Sequence, residues 1–211
     1  MREVMFQGDS ITDAGRNANS GSLIPIGQGY AMIAAAYIGA KYPGEFEFVN
    51  RGVSGNRIVD LYARIKGDGW NDSPAVLSVL IGVNDVWHGL DWNNGVNPRR
   101  FRNIYRMLIE DTLIESPNTK MLIMEPFVLK GTANEAKWDR FEPMVYENAA
   151  IAKEVAAEFG QVFLPLQEVF NKACGVQPAS YWLGDGVHPT VAGHQLIANE
   201  WIKCFEENFV K

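Results

Sequence analysis

Five short apolar runs recur along this chain, separated by longer amphipathic stretches, and that alternation restricts the available folds more than any other feature. Residues 4–7, 45–50, 75–81, 120–125 and 161–164 read as strands. The third and fourth are almost continuously apolar, as strands covered on both faces must be. Between them lie helical patterns. Asn97 followed by Pro98 reads as an N-cap with proline in the first turn, and Phe101, Ile104, Tyr105 and Leu108 mark one face. Phe141, Val145, Ala149, Ala152, Ala156 and Phe159 form a second stripe. Ile197, Trp201, Phe205 and Phe209 form a third. Strands that alternate with helices imply right-handed crossovers, and hence a parallel sheet with helices on both faces.

The 211 residues suffice for one domain with a sizeable core and no metal or disulfide support. A composition of 47% hydrophobic and 21% charged residues is ordinary for a globular enzyme. The net charge of −6 argues against a nucleic-acid partner, which needs a basic face. No segment reaches the roughly 20 apolar residues of a membrane span. The N-terminus has only a short apolar run before Asp9 and Asp13, without the core and cleavage site of a secretory signal. Two cysteines, Cys174 and Cys204, are too few for a disulfide framework. A cytoplasmic protein is expected, with homo-oligomerisation left open.

The chemistry gathers where strands end. Gly8-Asp9-Ser10 directly follows the first strand, and parallel sheets collect their sites at strand carboxyl ends. Taken alone the tripeptide is also a common turn and N-cap sequence. Asp185-Gly186-Val187-His188-Pro189 carries more information. A serine hydroxyl is a poor nucleophile until an imidazole takes its proton, and the imidazole needs a carboxylate on its other nitrogen. Asp185 and His188 on one loop supply that pair, although a solvated turn explains the segment equally well. Pro189 bars His188 from helical dihedrals and is itself suited to open the following helix. Gly82-Val83-Asn84-Asp85 follows the third strand as a loop, where the Asn84 amide suits a developing oxyanion. Gly55, after the second strand, offers a backbone N–H. His194 reads as a packing or capping residue inside the last helix, and His88 as a pocket-wall or surface group.

The segments FQGDSITDAGR, NRGVSGNRIVDL, LIGVNDVWHG and GDGVHPTVAGHQLIA resemble, in order, the four blocks of the SGNH (GDSL) hydrolases. They span nearly the whole chain. Ile11 stands where the family name has leucine. The resemblance implies a flavodoxin-like three-layer sandwich with five parallel strands ordered 2-1-3-4-5. It implies Ser10 as nucleophile and first oxyanion donor, Gly55 and Asn84 as the other donors, and Asp185 and His188 as partners of the serine. It implies no cofactor, and Asp9 and Asp85 lack the companions of a metal site.

Within the family the chain is similar to intracellular bacterial acetylxylan-esterase-like members. The expected activity is therefore a serine esterase that removes acetyl groups from sugars or xylo-oligosaccharides. A thioesterase or lysophospholipase is the first alternative, and a non-catalytic carbohydrate-binding protein on the same scaffold the second. Trp87, Trp92, Tyr181 and Trp182 are candidates for stacking on a sugar. Loop cover or a subunit interface accounts for each of them equally. Residues 126–140 are expected to form a lid, a pocket wall or an interface.

Overall fold

Strand residues of this chain alternate cleanly between two buried layers. In β1 (Arg2–Gly8), Val4 and Phe6 enter one core and Met5 the other. β3 (Val76–Leu80) sends Val76 and Leu80 one way and Leu77 and Val79 the other, and β4 (Lys120–Met124) divides likewise. Such two-sided burial is possible only in a sheet sandwiched between helices. The structure, a computed structural model, describes residues 1–17 and 25–210. With β2 (Phe46–Asn50) and β5 (Val162–Leu164) the sheet has five parallel strands in the order β2-β1-β3-β4-β5. The predicted topology is therefore observed, with strand ends shifted by at most two residues.

On one face lie α2 (Tyr30–Lys41) and α9 (Val191–Phe209). On the other lie α3 (Ile58–Ile65), α5 (Pro98–Glu115) and much of α6 (Trp138–Glu158). The remaining α-helices among the described residues are α1 (Ser10–Asp13), α4 (Val83–Trp92), α7 (Gln167–Ala173) and α8 (Ala179–Trp182). The three apolar stripes face the core, with Phe159 as the C-cap of α6 rather than part of its last turn. Asn97 caps α5 through its side chain, and Pro98 occupies the first turn. The buried Trp201 of α9 donates its indole N–H to Ser78 Oγ at 2.9 Å, so a polar edge in the core is matched. No helix among the described residues is long and apolar enough to cross a membrane.

Three local expectations are corrected. Asn84 and Asp85 lie in the first turn of α4, not in a loop, because the left-handed Gly82 (φ 137°) turns the chain into a helix at once. Pro189 does not open α9; it pairs with Leu183 in an isolated antiparallel bridge, and Thr190 caps the helix by accepting from the Gly193 N–H. Residues 138–140 already belong to α6, so the irregular connection after β4 ends earlier than expected.

Candidate active site

Three of the four predicted motifs follow different strands whose ends parallel pairing brings together, and the fourth lies on the turn between α8 and α9. β1 hands the chain to Asp9, whose carboxylate caps α1 by accepting from the Ile11 N–H at 3.0 Å. Ser10 is therefore the first helical residue, where the backbone N–H has no acceptor within the helix. Burial pushes the Asp9 carboxyl up to about 7, against the opposing pull of the Ile11 N–H and of nearby His188.

His188 reaches Ser10 from the far end of the chain. Ser10 Oγ and His188 Nε2 are 2.9 Å apart, and His188 Nδ1 is 2.7 Å from Asp185 Oδ2. The other Asp185 oxygen accepts from the Val187 and His188 N–H groups at 2.9 and 2.8 Å. Partial burial raises the Asp185 carboxyl, but the His188 N–H, the imidazole and the Val187 N–H outweigh it and leave the group below its ordinary range. An ionised Asp185 only accepts, so Nδ1 carries the imidazole proton and Nε2 is free to accept from Ser10. The side chains of His188 and Asp185 remain 44% and 32% exposed, which keeps the site open to a solute.

The turn holding Asp185 is braced by the connection after β4. Leu129 donates its N–H to the Gly186 carbonyl at 2.9 Å, and Ala133 donates to the Asp185 carbonyl at 3.0 Å. Asn134 ties that strap to itself through Gly131 and Leu129, and Gln167 fixes Val128 on both its amide and its carbonyl. The approach is so close that a Cβ at Gly131 would meet the Asp185 carbonyl oxygen at 2.4 Å. Residues 126–137 thus brace the Asp185 turn.

Gly55 adopts φ +81°, and its N–H has no acceptor among the described residues. Its loop is docked on α1, because Asp13 Oδ2 accepts from the Ser54 N–H and hydroxyl at 3.1 and 2.7 Å. Asn84 is buried and donates one amide hydrogen to the Asn56 carbonyl at 3.1 Å. Asp85, next along α4, accepts the Ile58 N–H on both oxygens, and burial pushes its carboxyl up to about 8. Arg64 clamps the same loop from α3 through the Arg51 carbonyl and the Asn56 side chain. The sequence reading missed Asp13 and Arg64. Their only signal was a charge placed beside a motif, and surface charges are common.

The aromatic candidates separate. Trp87 lies 5.9 Å from the His188 ring, centroid to centroid. Trp92 is 64% exposed and packs edge-on against the half-buried His88 at 4.8 Å. Tyr181 is 51% exposed and meets the Trp182 ring edge-on, while the Trp182 indole N–H is committed to the Ala173 and Gln177 carbonyls. His194 caps α2 by accepting from the Tyr30 N–H at 3.2 Å, so its capping role serves a helix other than its own. Among the described residues, no group of three or more His, Cys, Asp or Glu side chains is arranged to hold a metal. Cys174 and Cys204 are free thiols.

A serine–histidine–aspartate chain on a 2-1-3-4-5 sheet narrows the family sharply, and the GDSL-like lipase/acylhydrolase model matches residues 6–196. The chain belongs to that family. An acetylxylan esterase from Geobacillus stearothermophilus is 31% identical over 206 residues, covering 95% of this chain and 92% of that protein. The crystal structure of Axe2, an acetylxylan esterase from the same organism, superposes with a TM-score of 0.87 at 29% identity over 100% of this chain and 96% of that one. A structure from Parabacteroides merdae, described as a GDSL-like lipase, superposes at 0.90 with 37% identity over 96% and 94% of the two chains. The protein is a carboxylic ester hydrolase of this family.

Proposed function

We infer that the chain deacetylates sugars or short xylo-oligosaccharides through an acyl-enzyme on Ser10. The continuous hydrogen-bond chain from Asp185 through His188 to Ser10, at 2.7 and 2.9 Å, is the observation that carries this reading. His188 Nε2 takes the Ser10 proton as Oγ bonds to the ester carbonyl carbon. The oxyanion that forms is held by the Ser10 and Gly55 N–H groups and by the second amide hydrogen of Asn84. Collapse of the intermediate breaks the bond to the sugar oxygen, to which His188 returns the proton. Water then attacks the acetyl group by the same route and releases acetate. No step needs a cofactor.

The choice of acyl group and alcohol is supported by similarity to the acetylxylan esterase from Geobacillus stearothermophilus. The open site around His188 also suits a bulky alcohol. The test is an assay of acetylated xylo-oligosaccharides, octanoyl esters and acyl thioesters with wild type and Ser10→Ala. Acetate release from the oligosaccharides by wild type alone is expected. Substantial Ser10→Ala activity would remove the acyl-enzyme, and preference for octanoyl or thioester substrates would remove the sugar.

A further inference from the structure

Trp87, on α4, contacts the imidazole and is itself held rather than free. Its ring plane is inclined 48° to that of His188 at a centroid distance of 5.9 Å, and Phe141 packs edge-on against it at 6.1 Å. The indole N–H donates to Asp91 Oδ2 at 2.8 Å. The other Asp91 oxygen receives the Lys137 ammonium, which also reaches the Leu90 carbonyl at 3.4 Å. Lys137 closes the same strap whose Leu129 and Ala133 N–H groups brace Gly186 and Asp185. One segment therefore fixes His188 from two sides, through Asp185 and through the Lys137–Asp91–Trp87 chain.

We propose that Trp87 is a positioning residue for His188, its Asp91-anchored indole holding the imidazole toward Ser10 and stabilising the imidazolium that forms when Ser10 is deprotonated. The proposal rests on His188 being the base. Trp87 is half-buried against the core and its N–H is committed, so the ring is held in place beside His188.

The electrostatics favour the charged ring. An aromatic face within about 6 Å attracts a cation, and the neutral imidazole gains far less. Donation to the Asp91 carboxylate adds electron density to the indole and strengthens that preference. The interaction thus grows on the way to the transition state, as a catalytic contribution must. Three other titratable groups act on His188: Asp185 on Nδ1, the buried Asp9 beside Ser10, and His194 on α9. The carboxylates favour the imidazolium and a charged His194 would oppose it.

The test follows the His188 imidazole directly by NMR in histidine-labelled protein, its signal assigned by loss in His188→Gln. It adds the pH profile of kcat/KM on p-nitrophenyl acetate. Trp87→Leu should lower the His188 midpoint by about 0.4–0.7 pH unit and reduce kcat roughly two- to five-fold, with KM little changed. Trp87→Phe should recover part of both, and Asp91→Asn should fall between Phe and wild type. An unmoved midpoint in Trp87→Leu and Asp91→Asn, or a change confined to KM, overturns the proposal. If Trp87→Leu does not fold, Trp87→Phe and Asp91→Asn carry the comparison. Full activity in His188→Gln would instead overturn the assignment of the base, independently of any Trp87 variant.

Discussion

The Asn84 side chain donates to the Asn56 backbone carbonyl at 3.1 Å, tying the first turn of α4 to the loop that carries Gly55. Two elements that follow different strands are thereby locked at a fixed separation. Preorganisation of this kind is what lets a donor act on a developing charge without reorganising during the reaction. Asp85 repeats the lock one residue later by accepting the Ile58 N–H.

Asn84→Asp should lose at least about 100–1,000-fold in kcat, the usual scale for one oxyanion donor, because it also sets an acceptor against the Asn56 carbonyl. The substitution keeps the shape and replaces the amide donor by an acceptor. Asn84→Ala should show a loss of similar size. Single-turnover measurements on p-nitrophenyl acetate check this, and near wild-type acylation in both variants would place the oxyanion elsewhere.

Gly131→Ala tests the strap. The added Cβ would sit 2.4 Å from the Asp185 carbonyl oxygen, so the turn carrying the carboxylate must shift. Displacements near 1 Å remote from the chemistry cost on the order of 100-fold in rate. Overpacking should also lower stability by about 1–3 kcal/mol. A variant with unchanged kcat would show that the strap is dispensable for placing Asp185.

Much of this arrangement was legible in the sequence, for a physical reason. Strands buried on both faces write continuous apolar runs, and Ser10, Gly55 and Asn84 follow three of them; each alone reads as a turn residue, and the ordered blocks together single them out. What binds those groups to one another was not legible. Ala133 meets Asp185, Asp13 meets Ser54 and Lys137 meets Asp91 only after the sheet has formed. Such pairs leave no periodicity. The helical start at Val83 was hidden for a different reason: Gly82 at positive φ reads as a turn residue whether a loop or a helix follows.

His194 gives a pH-dependent prediction. Burial, with a smaller effect of the His188 charge, pushes its imidazole down to about 4 from 6.5. The unfolded chain therefore takes up a proton as pH falls through 6.5 while the folded protein does not. The stability contributed by neutral His194 is present above 6.5 and is lost between 6.5 and about 4. His194→Gln keeps an acceptor for the Tyr30 N–H and removes the titration. Urea midpoints at pH 7 and pH 5 should show wild type losing more stability on acidification than the variant. Asp9 and Asp85 titrate in both proteins and cancel in the difference. Parallel losses would mean that His194 is solvated in the folded state.

The acyl chain preference discriminates between members of one family that share a single machinery. Each methylene moved from water into an apolar groove gains about 0.8 kcal/mol, close to fourfold in specificity constant. An open groove therefore favours longer chains in regular steps. The apolar residues flanking Ser10 and Asn84 in this chain, Ile11, Val83 and Val86, are each 2% exposed and sealed into the core. They give a growing acyl chain no surface to spread over. Across p-nitrophenyl esters from acetate to octanoate, kcat/KM should peak at two or three carbons and then fall, because added methylenes must either remain in water or displace packed side chains. A steady rise to octanoate would sink the deacetylase reading and favour a lipase-like substrate. The roles proposed for Ser10, His188 and Asp185 are compatible with either result, since the chemistry at the carbonyl does not depend on what the acyl chain touches.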